Sequence, residues 1–162
     1  MRLAPPGYSH QVSSANASEL RLPADRRYVI VAKRAAAGFA AVAGLDVEAL
    51  DDLVIAVAQA CENAIILTER AAGPGNGHIK LLFNLADSSL DIDVRSSLSR
   101  VELEAAAQRH AVTAARAALE VQAREAEEMS MRLMGLFVDD CRYRVDERTG
   151  GLRVRLTKYR AR

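Results

Sequence analysis

The segment Asp51–Arg70, DDLVIAVAQACENAIILTER, decides how the chain is read. Leu50, Leu53, Val57, Cys61 and Ala64 recur at three- and four-residue intervals, giving one apolar face at the helical period. Gln59 and Asn63 are four apart and so stack one above the other. At roughly 100° per residue they fall opposite the apolar stripe. A pair of amides in this register also occurs on ordinary solvated helix faces, so the pair alone specifies no chemistry. The flanking sequence narrows the reading.

Toward the N-terminus, Asp46 is placed to cap this helix and Gly44 to end an earlier one. That earlier helix starts near Asp25 and carries Tyr28, Val31, Ala32, Ala35 and Phe39. Glu19–Leu22 reads as a short strand stopped by Pro23, which cannot donate to a ladder. Residues 1–18 are rich in Pro, Ser, Gly and Asn without periodicity and read as a disordered tail, leaving 19–162 as one domain. Toward the C-terminus, AAGPGNG at 71–77 is a loop, and alternation predicts strands through Ile79–Leu85 and Leu90–Val94 around a turn at 86–88. No Gly or Pro interrupts 78–134, which reads as helix from about Val101, with Leu103, Ala107, His110, Ala114, Ala117 and Val121 on one seam. A further helix carries Met129, Leu133, Leu136 and Phe137 to about Asp140, before a closing hairpin turns at Thr149-Gly150-Gly151. Hairpins with one apolar face need helices laid across it, which predicts a two-layer α/β helix-on-sheet sandwich with a mostly antiparallel sheet.

Composition excludes several classes. The 162 residues carry 22 Lys and Arg against 21 Asp and Glu, so no global field draws nucleic acid or an anionic membrane. There is no apolar run of spanning length and no apolar core in the opening residues, so a cytoplasmic protein is expected. His10, His78 and His110 share no ligand spacing, and Cys61 and Cys141 form neither a metal motif nor a disulfide framework. Arg153, Arg155, Lys158, Arg160 and Arg162 read as a solvated sheet face rather than a nucleic-acid patch, because only Tyr159 interleaves them.

The helix at 51–65 resembles the N-box helix of the GHKL, or Bergerat-fold, ATP-binding proteins. It resembles in particular the anti-sigma-factor serine kinases, whose pattern is roughly D-D-L-x-x-A-V-x-E-A-C-x-N-A-I. The chain agrees at Asp51, Asp52, Leu53, Ala56, Val57, Ala60, Cys61, Asn63, Ala64 and Ile65. The order of elements agrees over about residues 19–159. The resemblance implies a homodimeric transcription regulator, acting in a stress response, that clamps an alternative sigma factor and is countered by a STAS-domain anti-anti-sigma protein. It implies a sigma contact from a basic residue of the first helix, here Lys33 or Arg34. It also implies Mg-ATP as cofactor, with the N-box Glu as general base and the Asn at position 63 holding the metal.

The chain departs from that pattern where the chemistry lies. Gln59 stands at the base position, and an amide has no basic form near pH 7. Glu62 is about 100° away around the helix and points elsewhere. In the aligned D-x-G-x-G turn, Ser96 replaces the Asp that holds the adenine amine, and Leu98 and Arg100 replace the glycines. The phosphate-cradling G-G-L-G-L reads Glu127-Glu128-Met129-Ser130-Met131, and Leu152 replaces a Thr. The expectation is therefore a regulator that binds proteins without a cofactor or a catalytic group. Gln59 would mark the vestigial base, Asn63 the vestigial Mg-ATP position and Ser96 the vestigial adenine position. The alternatives are an active ATP-dependent serine kinase acting on a STAS-domain protein, and an interaction scaffold with an unrelated partner.

Overall fold

Alternating apolar residues sort the chain into two layers. The computed structural model describes residues 16–116, 121–146, 148 and 150–161, with backbone alone over 110–116 and 121–127. Strands β1 (Ala17–Pro23), β2 (His78–Leu85), β3 (Ser89–Ser97), β4 (Asp140–Val145) and β5 (Leu152–Tyr159) form one antiparallel sheet in the order β1-β2-β3-β5-β4. Ile79, Leu81, Phe83, Leu90, Ile92, Val94, Leu152, Val154 and Leu156 are buried on the face that meets the helices. The helices are α1 (Val29–Val42), α2 (Val47–Ala72), α3 (Arg100–Arg116) and α4 (Val121–Met134).

Helix α2 is central because one broad face along its whole length is apolar and buried. It packs on β2, β3 and β5 through residues such as Leu53, Val57, Cys61 and Ile65, and α1, α3 and α4 flank it. Asp46 caps its start by accepting a 2.8 Å hydrogen bond from the Ala49 amide. Small residues Ala32, Ala36 and Ala40 let α1 approach closely, and Phe39 stacks on Phe83 with ring centroids 4.3 Å apart. Two cations tie β5 to the helices. Lys158 Nζ meets Asp52 at 3.3 Å and the Phe137 carbonyl at 3.1 Å, and Arg160 Nε donates to the Ala43 carbonyl at the end of α1. Among the described residues no helix is long and apolar enough to cross a membrane.

The expected order and layer architecture are present, with three boundary corrections. β1 begins at Ala17, so Ala17 and Ser18 pair with Asn84 and Phe83 instead of belonging to the tail; residues 1–15 lie outside the described residues. α2 runs to Ala72, where Gly73 takes a left-handed φ of 87° and its amide bonds the Glu69 carbonyl. α4 ends at Met134 rather than near Asp140, because at Gly135, Leu136 and Phe137 the amides bond carbonyls three residues back and the helix unwinds. The side chains of the seam residues His110, Ala114 and Val121, all of Ala117, and Thr149 of the closing turn lie outside the described residues.

The far face of the sheet is open and polar, yet it holds one buried acid. Asp93 is 5% exposed and receives Arg153 and Arg155 at 3.2 Å each, with Arg95 at 3.7 Å. Burial pushes its carboxyl upward, but the hydrogen bonds from Arg155 and Arg153 outweigh this and hold it below the usual carboxylate range. A lowered carboxylate contributes stability that is fully present above the unfolded-state value, about 4. That contribution disappears as pH falls through the lowered folded value. Asp93→Asn should therefore cost about 1–3 kcal/mol at pH 7 in urea unfolding and flatten the loss of stability below about pH 4. An unchanged acid-unfolding profile in that variant would contradict the role given to Asp93.

Candidate functional site

Gln59 and Asn63 lie on the face of α2 turned toward α4, and they meet there at Ser130. Gln59 Nε2 donates to Asn63 Oδ1 at 3.2 Å and to Ser130 Oγ at 3.1 Å. Asn63 Nδ2 lies 3.1 Å from Ser130 Oγ and 3.7 Å from Met131 Sδ, and the Ser130 hydroxyl reaches Asn63 Oδ1 at 3.3 Å. The three side chains form a closed triangle of part-buried polar groups. Met131, which is buried, packs beside it. Both amides face α4, and Ser130 occupies the space in front of them. Glu62, by contrast, is exposed and takes no part.

The segment aligned with the phosphate-cradling turn is helical. Residues 127–131 fall inside α4, whose backbone amides from 125 onward are directed along the helix rather than toward a ligand. Glu128 is exposed; the side chain of Glu127 lies outside the described residues. Ser96, the adenine position, sits in a second polar cluster. Its Oγ is 2.9 Å from Thr68 Oγ1 and accepts from the Leu152 amide at 3.0 Å, while the buried Thr68 hydroxyl donates to the Ala64 carbonyl at 2.6 Å. Ser96 thus joins α2, β3 and β5.

Where the aligned sequence has Leu98 and Arg100 for glycines, α3 begins. The Glu102 carboxylate accepts from the Ser99 amide at 2.7 Å and the Ser99 hydroxyl accepts from the Glu102 amide at 3.3 Å, a reciprocal cap. Glu102 also accepts from the Gly77 amide at 3.2 Å, tying the start of α3 to the loop before β2. These bonds, led by the Ser99 amide, hold its carboxyl below the usual range. Gly77 has φ of 76°, and a Cβ there would sit 2.5 Å from Thr68 Cγ2 and 2.9 Å from Leu98 Cδ2. Neither the Ser99–Glu102 cap nor the Ser130 triangle was anticipated. The first is written locally as S-x-x-E and could have been found; the second needs the placement of α4.

Lys33 and Arg34 are on α1, half-buried and exposed respectively, and neither joins the amide network. The thiol of Cys61 is pushed up to about 12 by burial, reinforced by the Glu62 charge, so it is a packing group and not a nucleophile. Cys141 is also raised, mainly by burial. His78 receives Arg21 at 3.3 Å, and no cluster of three or more potential metal ligands occurs among the described residues.

Comparison with known proteins matches residues 22–158 to the histidine kinase-like ATPase domain. The chain is also 30% identical over 145 residues to the serine-protein kinase RsbW of Listeria innocua serovar 6a, covering 86% of this chain and 85% of that protein. The same identity and coverage hold for the RsbW proteins of Listeria monocytogenes serotypes 4a and 4b. If the triangle seats α4 on α2, Ser130→Ala should cost about 1–2 kcal/mol in urea unfolding and raise amide exchange in α4. Unchanged stability and exchange would show that the triangle does not hold the helix.

Proposed function

Because the chain belongs to the histidine kinase-like ATPase domain family, we propose that it is an anti-sigma-type regulator that works by binding proteins, with its ATP site degenerate. The observation that carries this reading is the Ser130 triangle. In the kinase arrangement the Asn at position 63 faces a metal and the residue at 59 faces a hydroxyl to be deprotonated. Here both side chains are turned to one another and to Ser130. The residues present fit Mg-ATP poorly on two further counts. A helix occupies the phosphate-turn position, and Ser96 has its hydrogen bonds filled by Thr68 and the Leu152 amide. A general base contributes typically 10²–10⁴-fold, and Gln59 cannot supply it.

The proposed partners are an alternative sigma factor and a competing STAS-domain anti-anti-sigma protein, with Lys33 and Arg34 as sigma contacts. Arg34 is exposed beside Ile30 and Gly38 on the outer face of α1, an accessible position for such a contact. Val31 and Val42 are also exposed on α1, and together with its small residues they offer a surface for the proposed homodimer. The cytoplasm is the proposed compartment. The competing reading, an active serine kinase of a STAS-domain protein, draws its support from the Listeria relatives, which are serine-protein kinases.

Calorimetric titration with Mg-ATP and radiolabelled phosphoryl transfer to a STAS-domain protein separate the two. The expected result is no saturable binding at micromolar nucleotide, no transfer, and no transfer from the Gln59→Glu variant. Micromolar affinity in the unmodified protein, or turnover in Gln59→Glu, would establish the kinase reading instead.

A further inference from the structure

The open face of the sheet carries a pattern that no single strand reveals. The register aligns Arg21 with Lys80, Lys80 with Arg95, Arg95 with Arg153 and Arg153 with Arg144. One basic residue from each of the five strands therefore stands in a single row. All five point away from the helices, since Leu22, Ile79, Val94 and Leu152 beside them point inward and are buried. At about 4.8 Å between strands the row is roughly 19 Å long. The next row adds Arg155 and Arg142.

This face holds seven cations against the carboxylates of Glu19, Asp91, Asp93 and Asp140, although the whole chain is only +1. Like charges directly opposite one another across strands are destabilising, so five in a row work against the isolated fold. Internal acids offset them unevenly. Asp93 serves Arg95, Arg153 and Arg155, and Glu19 meets Lys80 at 3.1 Å. Arg144 has no ion pair among the described residues, and the Arg95 Nε is buried without a hydrogen-bond partner. A depression of about 320 Å³ beside Arg95, Arg144 and Arg153 is lined as well by Ser96, Leu98, Leu103 and Leu152, so it opens at the end of the sheet next to α3 and is not part of this face.

We propose that this row is a docking site for an acidic segment of a partner protein, laid across the strands with its carboxylates against Arg21, Lys80, Arg95, Arg153 and Arg144. A helix of about 13 residues spans 19 Å at 1.5 Å per residue. Carboxylates four residues apart on such a helix stand about 6 Å apart, close to the strand spacing. Planar guanidinium groups suit bidentate pairing with carboxylates. A nucleic acid fits less well, because no aromatic side chain stands in the row for bases to stack on. A second copy of the chain pairing face to face would set the same row of five cations against this one. The site lies on the opposite layer from Gln59, Asn63, Lys33 and Arg34, so it is independent of the reading given to them.

The probe is a labelled 14-residue helical peptide with glutamates on one face, followed by fluorescence anisotropy at 50 and 300 mM salt, beside duplex DNA of similar charge. The full-length protein should bind the peptide with salt-sensitive affinity. The Arg21→Glu/Arg144→Glu double variant, which spares the Asp93 ring, should bind at least tenfold more weakly while melting normally by circular dichroism. Glu19→Gln, which frees Lys80, should bind more tightly, and Arg100→Glu on the helical layer should bind unchanged. No binding of the peptide, equal loss in the Arg100→Glu control, no gain in Glu19→Gln, or tighter binding of the DNA would overturn the proposal. If the double variant melts early, the direction of the Glu19→Gln change decides alone.

Discussion

The contact of α4 with α2 through Ser130 is the constraint on which the reading of this molecule depends. Helix α2 has to bury an apolar face on the sheet, and the same helix geometry obliges Gln59 and Asn63 to face outward together. Part-buried amides need partners, and an unsatisfied one costs about 1–3 kcal/mol. Water or a ligand could serve in an open site. Here the partner is a serine hydroxyl from a helix some seventy residues further along the chain, beside the buried Met131. Once α4 is seated in that way, the space in front of the amides belongs to the protein.

The same outcome recurs at the other end of α2. Thr68, Ser96 and the Leu152 amide close on one another, and the reciprocal Ser99–Glu102 cap starts α3 directly after β3. Segments that are glycine-rich turns in the resembling kinases are here regular structure with side chains. The change is coherent in physical terms, because a backbone without glycine gains by completing its own hydrogen bonds. The two sheet faces are then free for different uses, one covered by helices and the other presenting charge.

Most of the architecture was legible in local pattern. The alternation of Ile79, Leu81 and Phe83 and the helical stripe of α2 gave strand, helix and inward face directly, since those periods are set by backbone geometry. Boundaries were misplaced where pattern is weak: Ala17 and Ser18 carry no apolar signal, and Gly135 ends α4 while Leu136 and Phe137 continue its apolar spacing. The candidate site was legible only in part. That Gln59 and Asn63 sit together follows from spacing four, but their partner does not, because it depends on how a distant helix lands. The row of basic residues was hidden for a related reason. Arg153 and Arg155 were visible as one strand's solvated face, whereas Arg21, Lys80, Arg95 and Arg144 join them only through strand register.

The central claim is that Asn63 is engaged with Ser130 and unavailable to a magnesium–nucleotide complex. The side-chain amide resonances of Gln59 and Asn63, assigned by heteronuclear NMR and followed during addition of Mg-ADP to millimolar concentration, report this directly. The account predicts resonances that do not move and amide protons that exchange slowly with water. A saturable shift of the Asn63 amide at micromolar nucleotide would contradict it, since that requires Ser130 and α4 to move away from Asn63.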